Sequence, residues 1–506
     1  MKVRTNTADN LMHKFGLKDV PLLRESFIDT ETVLHYLREN VTTIREPKPH
    51  MIGRGEATIK MIPNDKCQIR DYQFDILNKI FQENTIYPSL VIMPCGSGKT
   101  FTGACLIAMV QKRSLVITNF KVVANQWKRE ILRFFNIDEL QVQSIGEDSF
   151  AYDINNPPMI TILTYDTLSS IISVQSQSLL RKILMTNFTT IILDEAHKAV
   201  ATSYFNIIVK LTGTFVALTA TPVREDLEMR LLKQLVNDEH IVCRDELIQA
   251  GFVSPVFCST IIVPTDPTLY DKKLKQDKLL SAAVINPNKV AYLMRLLNDM
   301  IKLKHKIIVF CDDIWSLNFT FNKIKHAHSI IGPVSMITPL KQREICIEKF
   351  IKESAGSIIM ISRTGDEGID VPCASAIIQI CTSWGSRRQH AQRIGRIQRI
   401  SSDSSLRCEA ISIVSDNTIE MKFAQKRDAY LQSLKYPVSI SYSNITSNED
   451  CSTLVKLLNK KNKKKHAQQK AQQKAKQKMH NDKKKSISTF KKRLNEKYTK
   501  THYQNR

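Results

Sequence analysis

What the sequence lacks narrows it first. No run of eighteen apolar residues occurs, which excludes a helix crossing a bilayer. Residues 1–10 are polar and carry no apolar signal core, so secretion is not expected. The 11 cysteines include no Cys-x-x-Cys pair. They lie scattered in apolar runs, as Cys95, Cys105, Cys311 and Cys381 do. That is the pattern of reduced, buried thiols in a cytosol-like compartment, and not of a structural zinc or iron–sulfur site. Acid is scarce as well, with 49 Asp/Glu against 73 Lys/Arg and a net charge of +24. Residues 460–506 hold 18 Lys/Arg and 2 acids, so that segment carries +16 and the other 459 residues only +8. A polyanionic partner follows, with nucleic acid first among candidates.

With 506 residues the chain is too long for one core, and several domains are expected. Residues 1–60 are a mixed accessory segment in which 21–28 and 31–37 read as short helices and Pro47-Lys-Pro-His as a linker. From 61 to 250 apolar runs at 89–93, 114–118, 159–163, 190–193 and 215–218 alternate with amphipathic stretches such as 122–134. This is the rhythm of a parallel sheet wrapped by helices, which binds ligands at the carboxyl ends of its strands. A second such block covers 286–440, with strands expected at 306–310, 357–361, 375–380 and 409–414. Between the blocks, 251–285 contains Pro255, Pro264, Pro267 and a charged stretch at 271–278, and reads as a crossover with a small insertion. Residues 441–506 begin polar and end in a Lys/Gln/Ala tail with too few apolar residues to fold alone. The expected class is α/β.

Three stretches carry chemistry. Leu90-Val-Ile-Met-Pro-Cys-Gly-Ser-Gly-Lys-Thr100 has the form of a buried strand, a glycine turn and a helix start. In such a loop Cys95, Gly96, Ser97 and Gly98 present backbone N–H groups to an anion, backed by the positive end of the helix. Lys99 then reaches the outer phosphates and Thr100 ligates Mg²⁺. Met93 stands where the usual pattern has its first glycine, so an ordinary helix start remains open from this stretch alone. Asp194-Glu195-Ala196-His197 follows the apolar run 190–193, about 95 residues downstream. Asp194 would hold the Mg²⁺ and Glu195 would orient and deprotonate an attacking water; the alternative is two acids capping the next helix. Gln389-His-Ala-Gln-Arg-Ile-Gly-Arg-Ile-Gln-Arg399 places Gln392, Arg393, Arg396 and Arg399 at helical spacing, hence on one face. Fixed guanidinium forks there suit a γ-phosphate, whereas the bland alternative is a solvated basic helix. The glycine within the run is costly in a helix and argues for a constrained site.

Together with Ile69-Arg-Asp-Tyr-Gln73, Thr219-Ala-Thr-Pro222 and Gly365-Asp-Glu-Gly-Ile-Asp370, these stretches resemble, in order, the motifs of superfamily 2 helicases from about 65 to 440. Met93-Pro-Cys-Gly-Ser-Gly-Lys-Thr, Asn125-Gln-Trp-Lys, Val223-Arg-Glu-Asp226 and Gly385-Ser-Arg-Arg-Gln389 narrow the resemblance to the XPB type. The chain is also similar to the compact helicases of large cytoplasmic DNA viruses of the poxvirus and African swine fever virus kind. The resemblance implies two tandem RecA-like parallel-sheet domains, which in this sequence are flanked by a short N-terminal segment and a basic C-terminal tail. It implies ATP and Mg²⁺ as cofactors. Gln73 would read adenine with Arg70 near it, and Lys99, Thr100, Asp194 and Glu195 would bind MgATP. Gln392, Arg396 and Arg399 would complete the site from the other domain, with Gly368 and Asp370 at the cleft. Thr164, Arg363 and Thr364 would touch the nucleic-acid backbone, Arg224, Glu225 and Asp226 would serve duplex opening, and a thumb-like insertion would lie near 271–280. Three departures stand out. Ala196 occupies a place where XPB proteins often have Val, which brings the acid box nearer the Asp-Glu-Ala-His helicases, the N-terminal segment is short for a damage-recognition domain, and the lysine tail is not part of the core family pattern.

The function expected is an ATP-dependent helicase or translocase remodelling duplex DNA during viral transcription. Its partners would be nucleic acid and the transcription machinery, with no membrane. It would work in the host-cell cytoplasm and travel in the virion, while a nuclear address through the basic tail stays open. An RNA helicase is the alternative, since the core motifs contact backbone. A restriction-type nuclease motor is disfavoured, because no carboxylate–lysine nuclease cluster stands outside the motor. A packaging protein that binds through its tail would not need Lys99, Glu195 and Arg399.

Overall fold

The computed structural model describes residues 47–53, 58–145, 157–173, 183, 186–220, 231–270, 276–363, 373–381, 387–398, 406–449 and 451–458, together with two short strands, Lys2–Arg4 and Phe27–Asp29. Two seven-stranded sheets dominate it, and every strand pairing within them is parallel. The first contains β1 (Ser89–Ile92), β2 (Ser114–Thr118), β3 (Val142–Ser144), β4 (Ile160–Thr164), β5 (Thr190–Asp194), β6 (Thr214–Thr219) and β7 (Asp238–Ile241), in the spatial order β3-β4-β2-β5-β6-β1-β7. The second contains β8 (Val256–Val263), β9 (Ile307–Cys311), β10 (Ile330–Val334), β11 (Ile358–Ile361), β12 (Ala376–Cys381), β13 (Cys408–Ser415) and β14 (Val438–Tyr442), in the order β10-β11-β9-β12-β13-β8-β14.

The central strands are buried at every residue, as in Ser-Leu-Val-Ile-Thr of β2 and Thr-Ile-Ile-Leu-Asp of β5. Parallel strands read as continuous apolar runs because helices cover both faces. The helices that matter for the site are α1 (Asp71–Ile80), α2 (Lys99–Val110), α3 (Lys121–Phe134), α4 (Tyr165–Ser173), α5 (Arg244–Gln249), α6 (Arg387–Ile394) and α7 (Ile419–Ser433). Each sheet is sandwiched between two apolar clusters, so the described chain has two tandem RecA-like units with separate cores.

Three segments differ from the sequence reading. The crossover at 251–285 contains β8, which pairs with β13 and β14 inside the second sheet. Its run Val-Phe-Cys-Ser-Thr-Ile-Ile-Val is a strand pattern, set between the chain-breaking Pro255 and Pro264. Residues 451–458, read as the start of a tail, form a helix whose Cys451, Leu454 and Leu458 pack on Leu269, Ala282 and Ile285. Phe27–Asp29, expected in a helix, pairs antiparallel with Lys2–Arg4. The thumb-like insertion is partly described, as a helix at Gln276–Val284, and the lysine-rich 459–506 lies outside the described residues.

Candidate nucleotide site between the two sheets

Because β1, β4, β5 and β6 run parallel, their carboxyl ends bring the phosphate loop, Thr164, Asp194 and Thr219 to one edge of the first sheet. Met93 continues β1 by donating its N–H to Thr219 O at 2.9 Å. The chain then turns through Gly96 at φ +82° and Gly98 at φ +85°, the left-handed region that side chains resist, and enters α2 at Lys99. Ser97 Oγ donates to Pro94 O at 2.6 Å, closing the turn on itself. Lys99 Nζ lies across the loop, 3.2 Å from Met93 O and 3.3 Å from Pro94 O. The glycine at 98 is required twice: a Cβ there would lie 2.8 Å from Gln73 Nε2.

Gln73 and Arg70 stand beside that loop. Gln73 Nε2 and the Tyr72 hydroxyl both donate to Ser97 O, at 3.1 and 2.6 Å. Gln73 Oε1 accepts from Arg70 N at 3.1 Å, and Arg70 stacks on Phe252 with its guanidinium carbon 4.8 Å from the ring centroid. The start of α1 is thereby pinned to the turn that would hold phosphate.

Asp194 ends β5 and is almost wholly buried. Trp127 Nε1 on α3 donates to its Oδ2 at 2.8 Å, Glu195 N donates to its Oδ1 at 2.9 Å, and the Tyr165 hydroxyl donates to its carbonyl at 3.0 Å. Burial raises the Asp194 pKa above the ordinary carboxylate value, while the indole N–H, the Lys99 charge and the Glu195 N–H pull it back. Glu195 adopts φ +49°, which costs a non-glycine residue about 1 kcal/mol. Its side chain makes no cap to the short helix Ala196–Lys198, so helix capping does not explain it. His197 Nδ1 lies 3.5 Å from Glu195 Oε2 and can steer that carboxylate.

The second sheet supplies the opposite wall. Helix α6 ends at Ile394, and Gly395–Ile397 form a turn, so Arg396 does not continue the helical face expected for it with Gln392 and Arg393. Arg393 points inward, where Nη2 meets Asp312 Oδ1 at 2.6 Å and the guanidinium sits 4.2 Å from the Phe310 centroid. Breaking such a buried pair costs about 3–5 kcal/mol, and the pair anchors α6 to the end of β9. Gln392 and Arg396 are left half-buried outside that anchor. The turn presses on the phosphate loop: a Cβ at Gly395 would fall 2.0 Å from Cys95 Cβ, and Gln398 Cβ lies 3.7 Å from where a Gly96 Cβ would stand. That contact explains the glycine inside the arginine stretch.

Other expected residues fall elsewhere. Thr164 is buried, and its hydroxyl accepts from Thr167 N at 3.0 Å and bonds Thr167 Oγ1 at 2.9 Å. In this arrangement the hydroxyl caps the start of α4. Arg363 is exposed just past β11. Arg224, Glu225, Asp226, Thr364, Gly368, Asp370 and Arg399 lie outside the described residues. Trp127 is the site residue that sequence reasoning passed over, although a buried indole N–H usually has an acceptor. A cavity of about 1090 Å³ lined by Pro88, Arg113, Phe188 and Gly213 sits at the amino-terminal ends of the strands, away from this site.

Comparison with known proteins finds helicase relatives. Residues 247–501, just over half the chain, match the family described as ERCC3/RAD25/XPB C-terminal helicase, and residues 66–224 match the type III restriction enzyme res subunit. The chain is 31% identical over 401 residues to the general transcription and DNA repair factor IIH helicase/translocase subunit XPB of Enterocytozoon bieneusi, covering 76% of this chain and 65% of that protein. Against the Dictyostelium discoideum subunit it is 32% identical over 373 residues, covering 72% and 46%. The chain thus spans less than two thirds of either relative. Among solved structures, S. cerevisiae Dbp5 bound to RNA and ADP BeF3 shares the fold, with a TM-score of 0.51, 14% identity, and coverage of 78% of this chain and 98% of that one.

Proposed function

The chain belongs to the ERCC3/RAD25/XPB helicase family, and on that premise we propose that it is an ATP-driven motor that moves on duplex DNA and remodels it during transcription. One observation carries the reading: the phosphate loop of the first sheet and the arginine-bearing turn of the second, about 300 residues apart in sequence, are in van der Waals contact. The residues present fit MgATP, since the two positive-φ glycines leave a cradle that a Cβ would fill. Lys99, Thr100 and Asp194 would hold the phosphates and Mg²⁺, with Gln73 and Arg70 toward the base. Bound Mg²⁺ would neutralise charge on the β- and γ-phosphates. Glu195 would orient and deprotonate the attacking water, while Gln392, Arg396 and Arg399 would meet the charge that builds on the leaving side. Arg363 and Thr364 would touch the nucleic-acid backbone, and Arg224, Glu225 and Asp226 would work at the duplex fork.

A site divided between two sheets converts hydrolysis into relative movement, because closing it on nucleotide draws the two units together. ATP turnover should be stimulated more by duplex DNA than by single-stranded DNA or RNA. Glu195→Gln should lose about 100-fold in turnover and still bind nucleotide. Stimulation by RNA alone would make the chain an RNA helicase, and wild-type turnover in the Glu195 variant would sink the site assignment. The motif resemblance to helicases of large cytoplasmic DNA viruses extends the reading to a viral motor of the host cytoplasm, for which absence of the chain from purified virions would be adverse.

A further inference from the structure

The contact between the turn and the loop is held by a chain of side chains that the ATP chemistry does not use. Arg244 opens α5 directly after β7, the strand that flanks β1 and hence the phosphate loop. Its guanidinium carbon sits 3.6 Å from the centroid of the Tyr436 ring, and Nη1 donates to Lys435 O at 3.4 Å. Tyr436 belongs to the second unit, between α7 and β14, and is 8% exposed. Its hydroxyl donates to Gln398 Oε1 at 3.1 Å. Gln398 is fully buried between Arg396 and Arg399, against Gly96 of the loop. Its carbonyl also accepts from Ser254 N at 2.8 Å, from the segment joining the two sheets.

Stability alone does not account for this glutamine. Its Nε2 is buried with no hydrogen-bond partner among the described residues. A half-satisfied buried amide costs stability that leucine at the same place would not. What the amide does provide is a directional bond to Tyr436, whose ring is in turn gripped by a cation from the other unit.

We propose that Gln398 and Tyr436 are positioning residues for hydrolysis: with Arg244 they form a strap across the two units that sets the arginine-bearing turn on the phosphate loop. The proposal rests on the ATPase reading above. It predicts that the strap contributes to turnover and to loop coverage, and little to nucleotide affinity or fold stability. Tyr436→Phe deletes only the hydroxyl and keeps the ring under Arg244, and Gln398→Leu keeps the volume.

Each single variant of the full chain should lose about tenfold in kcat at saturating ATP and duplex DNA, with KM and labelled-nucleotide affinity held within about twofold. The double variant should be no worse than the poorer single one, because both break the same strap. A readout without nucleotide is the alkylation rate of Cys95, the residue under Gly395, followed by peptide mass spectrometry; it should rise about threefold in each variant as the turn lifts. Wild-type kcat together with wild-type Cys95 reactivity would overturn the proposal. So would losses that multiply in the double variant, or a melting temperature that falls in step with kcat. A wild-type chain without DNA-stimulated turnover would refute the ATPase reading instead, and the nucleotide-free Cys95 comparison would still judge the strap.

Discussion

Trp127 decides how Asp194 can act. The carboxylate is buried, and its charged form depends on three opposing influences, of which the indole N–H is the largest. Hydrogen bonds to charged groups are worth about 1.5–3 kcal/mol, so deleting this one leaves a buried acid under-solvated. Trp127→Phe is therefore expected to lower ATP turnover about tenfold and to raise the Mg²⁺ concentration needed for half-maximal rate. A Mg²⁺ titration of the variant checks this, and an unshifted midpoint with full turnover would make the indole a packing residue only. At this scale the acid box was legible in the sequence, since Asp194 and Glu195 follow an apolar run. The tryptophan belongs to the Asn125-Gln-Trp-Lys motif, yet its partner lies 67 residues away and no local pattern names it.

Helix spacing governs the same site from a step further out. Gly103 on α2 faces α3 so closely that a Cβ would lie 2.5 Å from Trp127 Cη2 and 3.1 Å from Leu218 Cδ1. Gly103→Ala must push the indole or part the helices, at an overpacking cost of about 1–3 kcal/mol. Calorimetry should show a lower melting temperature and the ATPase should weaken with it, because the displaced indole leaves Asp194. An alanine variant with unchanged melting and turnover would show that the helices give way freely. Elements with continuous apolar runs, such as β2 and β5, were readable within a residue or so. The edge strand β7, Asp-Glu-His-Ile, was not, because an edge strand needs no apolar pattern. The short helix α6 was read as longer than it is, since the charge spacing that suggested one face continues past the turn at Gly395.

For the whole molecule the uneven charge is the governing feature. The body carries +8, and residues 460–506 carry +16. Backbone contacts release counterions, so log affinity falls with log salt by about 0.9 per phosphate neutralised on duplex DNA. Deleting 460–506 should flatten that slope by several units while leaving ATP turnover at saturating DNA intact. Filter binding or anisotropy across a salt series measures it, and an unchanged slope would remove the tail from the binding surface. On the proposed function the two-sheet body would carry the mechanical cycle and the tail would supply non-specific hold.

The phosphate loop, the acid box, most of the parallel strands and the two-block plan follow from residue order alone, because each is a pattern of volume, charge and periodicity along the chain. The arginine-bearing stretch follows from residue order too. Which of those arginines faces inward depends on the folded packing. Arg393 is claimed by Asp312, 81 residues away, whereas Arg396 is only half-buried. The fold likewise decided that 256–263 is a strand, that Trp127 serves Asp194, and that Gly395 exists to let Cys95 approach. These outcomes depend on contacts between distant residues, set by sheet order and packing, and periodicity along one chain carries no record of them.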